Sequence, residues 1–337
     1  MNLENACIQI NTRKSKKAPG GRNRLGDPSE DTDSEKFTFK GSEDCLFLDI
    51  YASASAFEPN AKPLPVVVWF YGGAYAFGAK DQFLLLYSGK ALIEASNYGA
   101  IFVTGNYRLG AFGWLAGSYI EKEGLPNAGL YDQRLLLEWV QEYIDRVKGD
   151  KNRVSARGES AGAGPSVGGK WIKTIPTLAF SQVKRWNGIK SAIVSHCANE
   201  AEHFTPPDVK DEKTFNDFLA IFLPGLKTQQ DAIKKQYDCQ NRFSGNYSLC
   251  LRAIIQDASF TCNTRDFIQS YNNQTYAMNY GFPDDNLAYH ASDLVASFTN
   301  YEPQAIFMLT KLGMKPLAEA KWASKLWSVK HSRWAPA

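Results

Sequence analysis

The chain has 337 residues, 44% of them hydrophobic and 22% charged, with a formal net charge of +3. That length buries a large core, as one α/β domain or two smaller ones, and the weak charge gives no argument for nucleic acid as a partner. No run of 18 apolar residues is present, so no membrane-spanning helix is expected.

The amino-terminal stretch MNLENACIQINTRK has no apolar segment after a basic start, so no signal peptide is read in it. The basic run Arg13–Arg24 is followed at once by DPSEDTDSE, a pairing that reads as a solvated loop. LPVVVWFYGG (Leu64–Gly73) and AIFVTGNYRLG (Ala100–Gly110) are short apolar runs ended by glycine, as buried strands are. Phe83–Ser96 between them has helical character. Leu136, Val140, Tyr143, Ile144 and Val147 form one apolar stripe, which predicts a helix over Asp132–Lys148, with Gly149 as a left-handed cap.

RVSARGES and KSAIVSH (Lys190–His196) read as further strands, so strand, helix and strand alternate as in a parallel sheet covered by helices. Helices are expected near Lys213–Phe222, Leu249–Asp257 and Thr264–Tyr271, then a strand in TYAMNYGF. No repeat and no Pro- or Ser-rich linker divides the chain, so residues 1–337 are expected to be one domain with loop-rich ends. Six cysteines without a CxxC pair, and the sequons at Asn246 and Asn273, point to an oxidising, secretory setting.

Gly158-Glu159-Ser160-Ala161-Gly162 fits G-x-S-x-G, in which glycines flanking a serine let a strand and a helix meet around a strained turn that exposes the hydroxyl. Glu159 either braces that turn or touches substrate. Gly72-Gly73 end a strand, and their N–H groups with that of Ala161 could receive an oxyanion; the plainer reading is a simple turn. A serine needs a base and an acid that orients it. Four histidines are available: His196, His203, His290 and His331. In the chain order Ser, acid, His, the best placed is His290, which is otherwise an ordinary surface histidine.

SEDCLFLDIY, PVVVWFYGGAYAFG, NYRLGAFGWLA, NAGLYDQRLLLEWVQEYI and GESAGAG, followed by SAIVSHCANEAEHF, FTCNTRDF and YHASDL, resemble the type-B carboxylesterase/lipase family, especially its secreted fungal members. The resemblance runs from about Ser42 to Phe298. It implies an α/β-hydrolase fold, a mostly parallel sheet with helices on both faces, here shortened. It implies carboxylic ester hydrolysis without cofactor or metal, by Ser160 as nucleophile, Glu200 as acid and His290 as base, with Gly72, Gly73 and Ala161 as oxyanion donors. The substrate would be a small-molecule or lipid ester and the location extracellular; nothing in the sequence fixes an oligomeric state. Cys45 would pair with Cys7, closing a loop that forms a lid in lipase-like members. That 38-residue separation would remove about 4 kcal/mol of chain entropy from the unfolded state. Cys239 and Cys250 are a candidate pair by proximity alone.

The chain departs from the family pattern in three places. It begins near the disulfide loop. Glu200 follows Ser160 by only 40 residues, so the helix after the nucleophile, with Pro165 in its first turn, would end at Gly168-Gly169. A central strand would then be lost unless KSAIVSH takes its place. Arg157 stands where a buried apolar residue is expected, and needs a partner or a route to solvent. Asn106, Tyr107 and Arg108, with Glu43 and Asp44, are expected to be buried polar scaffolding. Trp322, Trp327 and Trp334 would belong to a packed terminal helix rather than a lipid interface. The competing expectation for function is a non-catalytic or truncated relative of the same fold acting as a binding module.

Overall fold

Runs such as VVVWF and IFVTG cannot leave either face in water, so they form the centre of a sheet covered on both sides. The computed structural model describes residues 6–10, 39–81, 88–163, 176–271, 274–282 and 285–298. The chain divides into two compact units. The first holds the described residues up to Pro176 together with Leu294–Phe298; the second holds Thr177–Asp293.

In the first unit a short antiparallel pair, β1 (Gln9–Ile10) and β2 (Phe39–Lys40), precedes a four-stranded sheet. That sheet contains β3 (Leu48–Tyr51), β4 (Leu64–Phe70), β5 (Ile101–Gly105) and β6 (Gly149–Gly158), in the order β3-β5-β4-β6. β4, β5 and β6 are parallel, while β3 runs antiparallel at one edge. Helices α1 (Lys90–Ala95), α2 (Gly110–Trp114), α3 (Ser118–Glu123) and α4 (Ala128–Tyr143) follow the strands.

Side chains alternate across the pleat. Val66, Val68, Phe70, Ile101 and Val103 share a cluster with Leu136, Val140 and Ile144. The predicted stripe, Tyr143 excepted, thus covers one face, each fully buried side chain contributing about 1.5–3 kcal/mol. On the other face Trp69 and Phe102 meet Phe298 edge-on, at 4.7 and 6.0 Å. Phe298 closes α11 (Ser292–Phe298).

Helix α4 starts a turn earlier than predicted and tightens into a 3-10 turn over Ile144–Val147. The left-handed residue that ends it is Lys148, at φ 65°, not Gly149. Gly149 instead opens β6, where a Cβ would lie 2.5 Å from Ile144 Cγ1 and 3.0 Å from Val66 Cγ2. Strand β6 is also longer and wetter than expected; Arg157 is exposed as a residue, although burial still draws its guanidinium pKa down.

The polar scaffold is partly as predicted. Asn106 is buried, accepting from the Lys80 N–H (2.8 Å) and donating to the Cys45 carbonyl (3.0 Å). Arg108 donates to buried Asp132 from Nε (2.8 Å), Nη2 (2.7 Å) and its own N–H (2.9 Å). That carboxylate holds the Arg108 guanidinium pKa above its ordinary value. Glu43 and Asp44, by contrast, are exposed and form no part of that interior. The Cys7–Cys45 disulfide is formed.

The second unit contains α5 (Pro176–Ser181), β7 (Ala192–Cys197), α6 (Glu212–Phe222), α7 (Lys227–Tyr237), α8 (Cys239–Arg242) and α9 (Tyr247–Gln256). A π-helical segment over Asp257–Thr261 joins α9 to α10 (Cys262–Ser270), before β8 (Thr275–Tyr280). Asp211 and Thr214 form a capping box at α6, a device worth about 1 kcal/mol. Phe215, Leu219, Cys239, Cys250, Leu251 and Ile254 make this unit's core, crossed by the Cys239–Cys250 disulfide. Cys197 and Cys262 are free.

Strands β7 and β8 are parallel to each other, from Ala192↔Thr275 to Cys197↔Tyr280. Within the second unit they form a two-stranded sheet. The expectation of strands covered on both faces fails for this pair: Ile193 and Tyr276 are more than half exposed.

Candidate active site

Strand β6 delivers Ser160 into a turn that only its neighbours' lack of side chains permits. Glu159 is still extended, and Ser160 then takes φ 54°, a left-handed conformation costing a serine about 1–2 kcal/mol. The Gly162 N–H donates to the Glu159 carbonyl (2.8 Å), and the Ala163 N–H to that of Ser160 (3.0 Å). A Cβ at Gly158 would sit 2.3 Å from the Gly162 oxygen, and one at Gly162 only 2.1 Å from the Phe70 oxygen. Both glycines of the motif are therefore demanded by space. Residues 164–175, including Pro165, Gly168 and Gly169, lie outside the described residues.

Strand β4 ends beside this turn. A Cβ on Gly72 would lie 2.8 Å from Glu159 Oε2 and 2.9 Å from Ser160 Cβ. Glu159 thus packs on the Gly72 backbone. Gly73 follows at φ 122°, with Ala74 and Tyr75 also left-handed. Its carbonyl accepts from the Ala76 and Phe77 N–H groups. Among the described residues, no turn, loop or cap bond uses the N–H of Gly72, Gly73 or Ala161.

The loop is held at its far end by Gln9, which is buried. Its Oε1 accepts from the Gly78 N–H (2.9 Å), and its Nε2 donates to the Gly78 carbonyl (3.0 Å). Sequence reasoning missed Gln9, because the contact spans 69 residues and a lone glutamine carries no pattern.

Glu200 and His290 belong to the second unit and follow the carboxyl ends of its parallel strands. A bridge between Asn199 and Tyr289 brings the two loops together, with the Asn199 N–H donating to the Ala288 carbonyl (3.0 Å). Glu200 is 5% exposed. Its Oε1 accepts from the Cys197 N–H (2.6 Å), and its Oε2 accepts from His290 Nδ1. The imidazole packs against Phe204 at 5.0 Å and Phe260 at 5.5 Å. Neither phenylalanine was singled out in the sequence, although Phe204 stands four residues beyond Glu200.

Of the other histidines, His196 Nδ1 faces the Cys197 carbonyl, and His203 packs on Tyr289 with its pKa pushed down by burial. His331, Trp322, Trp327, Trp334 and Asn273 lie outside the described residues. Burial pushes the Cys197 thiol up to about 12, and burial followed by the charge of Glu200 raises the Asp293 carboxyl. Asn246 is exposed, and its side-chain oxygen caps α9 by accepting from the Leu249 N–H (2.9 Å). Among the described residues no cluster of three or more His, Cys, Asp or Glu side chains could hold a metal ion, and no helix is long and apolar enough to cross a membrane.

A model of the carboxylesterase family matches residues 2–167, which include Gly72, Gly73, Ser160 and Ala161. A secreted lipase of Arthroderma benhamiae is 30% identical over 344 residues, covering 78% of this chain and 67% of that protein. The chain belongs to the carboxylesterase family. Carboxylesterase patB of Penicillium expansum is 29% identical over 360 residues, 77% of this chain and 63% of its own. The chain thus spans about two thirds of the length of these two family members. The solved structure of Aspergillus niger EstA superposes with a TM-score of 0.67 at 20% identity, over 88% of this chain and 77% of that one. That likeness gives the α/β-hydrolase fold, here with a mixed sheet in the first unit.

Proposed function

We propose that this carboxylesterase-family chain hydrolyses carboxylic esters through an acyl-enzyme formed on Ser160. The observation that carries the reading is Ser160 itself, held at φ 54° against Gly72 in a turn that no residue but glycine could flank. The Glu200–His290 pair supports it from the second unit.

In this reading Ser160 Oγ attacks the ester carbonyl carbon as His290 Nε2 takes the hydroxyl proton. Glu200 keeps the other imidazole proton on Nδ1 and stabilises the imidazolium. The carbonyl oxygen, now an oxyanion, receives N–H bonds from Gly72, Gly73 and Ala161, each worth about 3–4 kcal/mol if placed on it. Collapse breaks the ester C–O bond, and the alcohol leaves with the proton from His290. Water then attacks the acyl-serine with the same base, releasing the acid and restoring Ser160. The chemistry requires Ser160 Oγ and His290 Nε2 to come within hydrogen-bond reach, so the reading treats the two units as one hydrolase domain.

Small-molecule or lipid esters are the substrate class. The two disulfides and a relative named as a secreted lipase support an extracellular setting, with Asn246 as an available glycosylation site. The deciding experiment is labelling of the purified chain with a fluorophosphonate probe. Wild type should take label at Ser160, while Ser160→Ala should take none and His290→Ala should label far more slowly. A folded wild type that stays unlabelled would leave the binding-module alternative as the function.

A further inference from the structure

We infer that Gln256 is the positioning residue of the base half: its amide closes the turn that presents Glu200 to His290. The inference rests on the ester-hydrolase reading only for its kinetic consequence. Gln256 Oε1 accepts from the Ala201 N–H (3.1 Å), and its Nε2 donates to the Cys197 carbonyl (3.4 Å). One side chain therefore ties both ends of a five-residue turn that contains the acid. Inside that turn the Cys197 N–H already holds Glu200 Oε1. The Cys197 carbonyl has a second neighbour in His196 Nδ1 at 3.1 Å, so the Ala201 N–H is the group that depends on Gln256. Ala201 is fully buried, and an N–H left without an acceptor there would pull the turn toward another shape.

The placement of Gln256 is itself constrained. It is the last residue of α9, where the α-helix widens into the π-helical segment. π-Helical turns are rare and concentrate at functional sites, because the extra residue re-aims the side chains that follow. Here the segment sends Phe260 against the His290 ring and against Phe204, at 5.5 and 5.7 Å. Its first residue, Asp257, accepts from the Tyr237 hydroxyl (2.8 Å), and the Cys239–Cys250 disulfide anchors α9 within the core. One rigid element thus touches the acid's turn through Gln256 and the base through Phe260. A glutamine that served only helix packing would not need both ends of its amide on the Glu200 turn.

The test compares wild type with Gln256→Met, which keeps the length and removes both polar atoms, and Gln256→Glu, which keeps an acceptor for Ala201. The first readout is the His290 tautomer, followed by nitrogen NMR of the imidazole in folded protein, with or without catalysis. Wild type should hold the proton on Nδ1; Gln256→Met should show a mixture, and Gln256→Glu a smaller change. The second readout is ester hydrolysis, where Gln256→Met should lower kcat about 10- to 100-fold with KM within about twofold. A folded Gln256→Met protein with the wild-type tautomer overturns the inference. If the tautomer shifts in a chain that never labels at Ser160, the positioning role stands and the esterase reading falls.

Discussion

If the proposed triad operates, replacing Glu200 by glutamine changes one atom type at its acid and should nearly abolish turnover. The carboxylate uses Oε1 to accept from the Cys197 N–H at 2.6 Å and Oε2 to accept from His290 Nδ1. A glutamine can satisfy only one of these partners with its oxygen. Turning the amide nitrogen toward Cys197 would set two donors face to face in a buried site, at about 1–3 kcal/mol. The oxygen therefore stays on Cys197 and the NH2 faces His290. The imidazole must then accept at Nδ1 and carry its proton on Nε2, the wrong tautomer for taking a proton from Ser160. A wrong tautomer of this kind costs a Ser-His-Asp hydrolase about 10⁴ in kcat, or about 5 kcal/mol of barrier. Stability should change little, because the Cys197 bond survives. Hydrolysis of a short p-nitrophenyl ester by Glu200→Gln, with circular dichroism to confirm folding, measures both quantities. A folded variant within tenfold of wild-type kcat would refute the reasoning.

Gly162→Ala should cost about 3 kcal/mol or more, because its Cβ would fall 2.1 Å from the Phe70 oxygen. Gly124→Ala, whose Cβ meets only an ordinary contact at 3.6 Å, should stay within about 1 kcal/mol of wild type in urea melts. Replacing Cys239 and Cys250 together by serine should lower stability by about 3 kcal/mol, the chain entropy of an 11-residue loop, as read by urea unfolding. Burial and then the Glu200 charge raise the Asp293 pKa above its ordinary 3.8. The folded chain therefore holds that proton more tightly than the unfolded one, and this stability is lost as pH rises. Asp293→Asn cannot ionise, so wild type should lose melting temperature relative to it as pH rises above about 4. Parallel melting curves would contradict that assignment.

The sequence was most legible where burial is uniform. β4 and β5 read as strands because their runs are apolar on both faces except at Thr104, and α4 read as a helix because one stripe pays its burial. Strand β6 was visible only from Arg153 on: Asp150–Asn152 is polar and gives no apolar signal. Helix α7 went unseen because its buried residue is the polar Gln230, and only Ile233 and Tyr237 beside it pack on the core, too few to read as an apolar stripe. The π-helical segment is invisible for another reason: α9 and α10 run through it without a break in helical composition. At the site, G-x-S-x-G and Gly72-Gly73 carry a local space requirement that a pattern can express. His290 could be favoured from chain order alone, but Glu200 emerged only from family likeness, since nothing in their spacing links residues 90 apart. Gln9 and Gln256 could not be read at all: each works by meeting a backbone that the chain reaches only after folding.

The left-handed backbone of Ser160 bears on how this lineage can age. Glycine at that position would hold the same turn without the strain, and the fold would be more stable for it. A serine there opposes the drift that stability alone would favour. Descendants of this chain released from hydroxyl chemistry have the most to gain by change at position 160, while Gly158 and Gly162, fixed by backbone oxygens, stay as they are. Variation at 160 against constancy at 158 and 162 would therefore mark where along a lineage the hydroxyl stopped being used.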